Sequence, residues 1–153
     1  MKINIISVGK IKEKYFADAL SEYKKRLSAF CEICVAEVAE CAKNTPEEIK
    51  SAEGFLILER LSKMKGETFA LDRGGEAVDS EDFSKLIGGA KTRRGAANFI
   101  IGGSYGLSAE VLKKADRVIS FGTPTFPHQL FRVILAEQIY RGFMIESGRS
   151  YHK

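Results

Sequence analysis

The sequence predicts an α/β fold, a mostly parallel sheet with helices on both faces. Apolar runs of strand length alternate with helix-period segments from end to end, which is the order that crossover connections in a parallel sheet require. Several helix starts carry a capping residue directly ahead of an apolar-periodic stretch. The 153 residues are 44% hydrophobic and 29% charged, a balance that builds a real core and excludes disordered, collagen-like and disulfide-framework chains. A single domain over residues 1–153 is expected at this length.

The first strand is predicted over Lys2–Val8, rich in isoleucine and valine. No small-residue cleavage site follows it and no apolar run is long enough to span a bilayer, so a cytoplasmic protein without a membrane partner is expected. Lys14–Phe30 places Tyr15, Phe16, Ala19, Leu20, Tyr23 and Leu27 at three- and four-residue spacing, an amphipathic helix whose stripe is expected to cover the sheet. Lys24, Lys25 and Arg26 then turn outward. A second strand is predicted over Glu32–Val38. Cys31 and Cys34, three apart in an extended run, face opposite ways, so the thiols are expected to be reduced and structural and not zinc ligands.

Thr45-Pro46-Glu47-Glu48 is a capping box with proline at the first helical position, opening a helix expected to reach about Lys65. Thr68–Leu71 follows as a strand, a helix starts at Asp79 or Ser80, Ala97–Ile101 is the next strand, and Ser108 caps another helix. Arg117–Ser120 is the fifth strand. From His128 to about Met144 apolar residues surround the helix axis, with Leu130, Phe131, Val133, Ile134, Leu135, Ile139, Tyr140 and Phe143 among them. Such a helix is covered on more than one side, either as a central core helix or by a second subunit in a homodimer.

Three loops follow predicted strand ends and converge on one edge of a parallel sheet: Asp72–Gly75, Gly102–Gly106 and Phe121–Pro127. The glycine-rich one suits close approach of backbone amides to a ligand, although Gly-Gly-x-x-Gly is not the dinucleotide fingerprint. On the last helix His128 and Arg132 form one pair at i, i+4 and Glu137 and Arg141 another, the second with acid ahead of base. Ions set among Ile134, Tyr140 and Met144 are poorly solvated, which suits an anionic or carbonyl-rich ligand better than a surface bridge. Two basic runs, Lys24–Arg26 and Lys91–Arg94, on a chain of net charge +4 leave room for phosphate contacts.

Ile101-Gly102-Gly103-x-x-Gly106-Leu107, Thr125-Phe126-Pro127-His128, Arg132-Val133, Glu137-Gln138-x-Tyr140-Arg141 and Tyr151-His152-Lys153 together resemble the RlmH family. Lys2-Ile3-x-x-Ile6-x-Val8-Gly9-Lys10 and Glu22-Tyr23-x-x-Arg26 extend the likeness to the whole chain. These are ribosomal RNA large-subunit pseudouridine methyltransferases of the SPOUT superfamily. The resemblance implies a homodimer, a trefoil knot in the C-terminal half, and transfer of a methyl group from S-adenosyl-L-methionine to N3 of a pseudouridine in 23S ribosomal RNA of the assembled ribosome. No metal is implied. Carried over by position, the cofactor-binding residues are Leu71, Gly102, Phe121, Gly122, Thr123, Pro124, Thr125 and Phe126. The catalytic group is Glu137 and Arg141 on the last helix with Tyr151 and His152 on a tail that completes the partner subunit's pocket.

Two positions depart from the family pattern. Gly122 stands where relatives more often carry serine, and Pro124 where they carry leucine or methionine, so any contact made there by a backbone N–H is absent. A non-catalytic ribosome- or RNA-binding α/β protein and a small nucleotide-binding enzyme are the alternatives that the residues leave open.

Overall fold

The computed structural model describes residues 1–151. Its elements run β1 (Lys2–Val8), α1 (Lys14–Leu27), β2 (Glu32–Val38), α2 (Pro46–Leu61), β3 (Glu67–Ala77), α3 (Ser80–Arg94), β4 (Ala96–Ile101), α4 (Ala109–Lys114), β5 (Arg117–Ser120) and α5 (His128–Glu146). The strands form one five-stranded sheet in the order β2-β1-β4-β3-β5, every neighbouring pair parallel. The α/β fold expected from the alternation is the one observed.

Period-two alternation divides the core. Ile3, Ile5, Phe69, Phe99 and Ile101 point to a face covered by Phe83 and Ile87 of α3 and by Leu135, Ile139 and Phe143 of α5. Ile6, Val8, Ala70 and Ile100 point to the other, beneath Ile57 and Leu61 of α2 and Val111 of α4. Between the strands on this second face runs a polar row: Asn4 donates to Asn98 at 2.8 Å, and Asn98 reaches Thr68 at 3.4 Å. Their registers, Asn4 opposite Asn98 and Thr68 opposite Asn98, put the three side chains on one line. A one-residue slip would leave these buried groups unpaired, so the row fixes how β1, β4 and β3 align.

Four expectations are corrected. α1 stops at Leu27 and α2 at Leu61, earlier than periodicity suggests, because Ser28 and Ser62 turn their hydroxyls back onto the carbonyls of Lys25 and Glu59. β3 runs on past Leu71 to Ala77, with a register shift between Leu71 and Glu76 where the chain bulges and then rejoins β5. α1 packs mainly against α5, with Tyr23 meeting Tyr140, and covers little of the sheet.

Candidate functional site

β4, β3 and β5 lie side by side, so the loops after β4 and β5 and the bulge within β3 are neighbours. They enclose a cavity of about 530 Å³, a volume within the range of small-molecule sites. Leu71 and Asp72–Gly74 line it from β3, Gly102–Gly106 from β4, and Phe121, Gly122 and Pro124–Phe126 from β5, with His128 and Phe131 closing the side formed by α5. The three segments predicted to converge do so, but Asp72–Gly75, expected as a loop after a strand, is the bulge inside β3. Of the eight residues assigned to the cofactor, Thr123 alone stands outside the lining.

The wall on the β5 side is aromatic. Phe126 stacks on Phe131 at 5.9 Å and 28°, Phe131 meets Phe121 at 5.8 Å, and Phe121 meets Phe83 edge-on at 5.0 Å, so the rim is braced against the core. Gly122 has φ +115°, a backbone conformation that an L side chain rarely adopts, and Ser120 holds the turn by exchanging hydrogen bonds with its N–H and carbonyl. At Gly102 a Cβ would lie 2.7 Å from the carbonyl carbon of Gly106. Glycine is therefore required for the turn to close on itself.

Charged residues anchor the start of α5. Arg132 is fully buried and donates to the carbonyl oxygens of Val8 at 2.7 Å and Gly9 at 2.8 Å and to Glu37 at 2.8 Å. Its carbonyl-rich partner is the end of β1, not an external ligand. His128 turns to Glu40 at 3.4 Å, so the expected His128–Arg132 pair does not form. Gln129 accepts from the backbone N–H of Lys12 at 2.8 Å, fastening the loop after β1 to the same helix turn.

Below the glycine turn sits Glu53, 4% exposed, with Oε1 accepting from the N–H of Cys41 at 3.2 Å and Oε2 unpartnered among the described residues. Burial, with a smaller push from the charge of Glu40, raises its carboxyl above the ordinary value. An acid whose folded value is raised binds protons more tightly folded than unfolded. Its contribution is full below the ordinary value of 4.5 and declines as the pH climbs through the folded value. Glu53→Gln should therefore melt higher than the parent at pH 8 and lose that advantage at pH 4, as thermal denaturation across the range will show.

The second group of chemistry-bearing residues lies apart from the cavity. Glu137 Oε1 accepts from Arg141 Nε at 3.1 Å and Nη2 at 2.6 Å, and Tyr151 donates its hydroxyl to the same oxygen at 3.3 Å. The Arg141 guanidinium lies 5.0 Å from the Tyr151 ring centre, and Tyr140 meets that ring edge-on at 5.0 Å. The tail is thus docked at Tyr151, unlike the frayed end that its polarity permits. Burial first, then the neighbouring Tyr23 phenol and the Glu137 carboxylate, pushes the Tyr151 phenol up to about 12, so it is a neutral donor at working pH. None of the three lines the cavity within one chain. His152 lies outside the described residues.

The basic run Lys91–Arg94 is largely spent on structure. Arg93 holds Glu67 bidentately, Arg94 holds Asp116, and Lys91 reaches Glu146 at 3.1 Å. No group of three or more His, Cys, Asp or Glu side chains able to hold a metal occurs among the described residues, and none of their helices is long and apolar enough to cross a membrane.

Residues 1–152 match the family described as "Predicted SPOUT methyltransferase". The chain belongs to the SPOUT methyltransferase family. It is 48% identical, over the full length of both chains, to a Clostridium botulinum protein named "Ribosomal RNA large subunit methyltransferase H", and 47% identical over full length to one of that name from Clostridium kluyveri. A solved structure described as a probable methylase family protein from Haemophilus influenzae Rd KW20 superposes with a TM-score of 0.60 at 10% identity, covering 99% of this chain and 70% of that one. That last likeness is one of fold.

In this SPOUT methyltransferase the sequence located all three cavity-lining segments and the Glu137–Arg141 pair, and it missed the supports. Arg132 as a buried strut and Glu53 beneath the glycine turn went unseen. A charged residue amid apolar neighbours was the available signal, and it does not say which backbone the charge will meet.

Proposed function

We propose that this chain is a single SPOUT methyltransferase domain, knotted in its C-terminal half, that transfers a methyl group from S-adenosyl-L-methionine to N3 of a pseudouridine in 23S ribosomal RNA. The reading extends to action on assembled ribosomes in the cytoplasm, by a homodimer. It is carried by the full-length likeness, at 48% identity, to proteins named for methylating large-subunit ribosomal RNA.

The cavity suits such a cofactor. Its aromatic wall of Phe121 and Phe126 offers a flat apolar surface, while the glycine turn allows close approach of backbone. Leu71, Gly102 and the loop from Phe121 to Phe126 would hold it, with Thr123 contributing through the loop's shape. When bound, the cofactor supplies an electrophilic methyl group on a sulfonium. The protein then has two tasks: to hold the uracil edge in line, and to see the N3 proton removed.

Arg141, kept cationic and oriented by Glu137, is suited to charge that develops on the uracil carbonyls. Tyr151 orients and does not accept the proton, since its phenol is neutral at working pH. His152 remains the base by residue type, with His128 or water as alternatives.

Because Glu137, Arg141 and Tyr151 do not line their own chain's cavity, the active site is read as composite, one subunit's helix and tail facing the other's pocket. Leu130, Val133 and Ile134 remain half-buried on α5 and form the apolar side of that interface. Ile134→Glu should weaken the dimer by at least about 100-fold, because an unpaired carboxylate there is stripped of water. The monomer should keep its circular dichroism, because Ile134 is only partly covered within one chain. Sedimentation equilibrium reads the shift, and a variant as dimeric as its parent would remove this face from the interface. Calorimetric titration with S-adenosyl-L-methionine and tritiated-methyl transfer to ribosomes test the function itself.

A further inference from the structure

We propose that Tyr105 and Arg73 form an RNA-reading rim on the cavity: the Tyr105 ring stacks on an unpaired nucleobase beside the target, and Arg73 pairs with a phosphate of the same strand. This rests on the ribosomal RNA reading above. Large apolar side chains exposed by more than a third are Tyr15, Phe55, Tyr105 and Phe126, and of these only Tyr105 and Phe126 line the cavity. Phe126 is backed by Phe131 and belongs to the cofactor wall.

Tyr105 is different. Its ring is 52% exposed and meets no other ring or cation among the described residues. The backbone beneath it is nevertheless fixed, since Gly106 donates to the Gly103 carbonyl at 3.0 Å and the two form an isolated bridge. A hydrogen-bonded turn thus presents an aromatic ring that is half exposed and stacked on no other ring among the described residues.

Arg73 comes from the adjoining bulge of β3, where Asp72 Oδ2 lies 3.9 Å from the place a Gly106 Cβ would take. Asp72 Oδ1 is occupied by the N–H of Gly74 at 2.8 Å, and the exposed Arg73 guanidinium has no ion pair or hydrogen bond among the described residues. An aromatic face and an uncommitted guanidinium, both lining one cavity, match what a single-stranded segment offers: a base to stack and a phosphate to pair. A paired helix would bury its base faces and leave Tyr105 without a ligand.

The test uses the full-length dimer, with ribosomes as the RNA probe, and reads ribosome binding by co-sedimentation, kcat/KM for methyl transfer, and S-adenosyl-L-methionine affinity by calorimetry. Tyr105→Ala should lower ribosome affinity and kcat/KM by about 5- to 100-fold, chiefly through KM, and Tyr105→Phe should restore both. Cofactor affinity should stay within about two-fold. Arg73→Gln should flatten the slope of log kcat/KM against log salt by about 0.7, whereas Tyr105→Ala should leave that slope unchanged.

A loss of cofactor affinity matching the loss in kcat/KM would put Tyr105 on the cofactor and overturn the rim, as would wild-type ribosome binding by Tyr105→Ala. Dissociation of that variant into monomers would make the ring a subunit contact and would overturn the rim as well. If the parent protein binds ribosomes but transfers no methyl group, the function reading fails while co-sedimentation still decides the rim.

Discussion

Deletion of residues 150–153 is expected to slow methyl transfer to ribosomes by about 100- to 10,000-fold, the range for losing a proton acceptor together with a residue that orients the nucleotide. Cofactor affinity and dimerisation should stay within a few-fold of the parent, because four polar terminal residues bury little apolar area and their loss leaves the cavity lining in place. The deletion is not free of structural cost. It removes the Tyr151 ring from Tyr140 and Arg141 and the phenol from Glu137, contacts together worth about 1 kcal/mol, which lowers the melting temperature by a few degrees. Tyr151→Phe keeps the ring and loses only the hydroxyl, so it separates the platform from the hydrogen bond to Glu137. A truncated protein that methylates at the parent rate would remove the tail from the chemistry.

Gly102→Val should abolish measurable binding of S-adenosyl-L-methionine, a loss of at least about 100-fold, with circular dichroism nearly unchanged. The cause lies in the turn: a Cβ at Gly102 would sit 2.7 Å from the carbonyl carbon and 2.8 Å from the oxygen of Gly106, so the Gly103–Gly106 bridge must open and the loop must move. The strand ahead of it is held by buried Phe99, Ile100 and Ile101, which keeps the fold in place while its outer loop rearranges. Calorimetry at millimolar cofactor checks the loss. Unchanged affinity in a folded variant would place the cofactor elsewhere.

The strands Lys2–Val8, Glu32–Val38 and Arg117–Ser120 were legible to the residue, because β-branched runs bounded by turn residues have few other readings. What lies between strands was less so. Nothing local in Asp72-Arg73-Gly74-Gly75 announces that β3 resumes pairing after its bulge, since that depends on β5 lying alongside. Sheet order was likewise invisible: Asn4, Asn98 and Thr68 are distant in sequence and become a polar row only once β1, β4 and β3 are neighbours. The site divided in the same way. Gly102 and Phe126 sit in loops whose chemistry is local and were readable, whereas Arg132 looked like half of a helical pair and proved to be a strut for Val8 and Gly9. Likewise, Lys91, Arg93 and Arg94 left room for phosphate contacts until their partners Glu146, Glu67 and Asp116 were in place.

A composite site shared between two chains is the central claim, and subunit mixing tests it most directly. Gly102→Val has a damaged pocket and an intact tail, and the 150–153 deletion has the reverse, so each homodimer is expected to be inactive on ribosomes. When the two are denatured together and refolded in equal amounts, half of the dimers pair one chain of each kind. Each such dimer then holds one site with both parts intact, so tritiated-methyl transfer should recover to about a quarter of the parent activity. Activity that stays at the sum of the two inactive homodimers, with mixed dimers verified by tagged pull-down, would contradict the composite site and return all of the chemistry to a single chain.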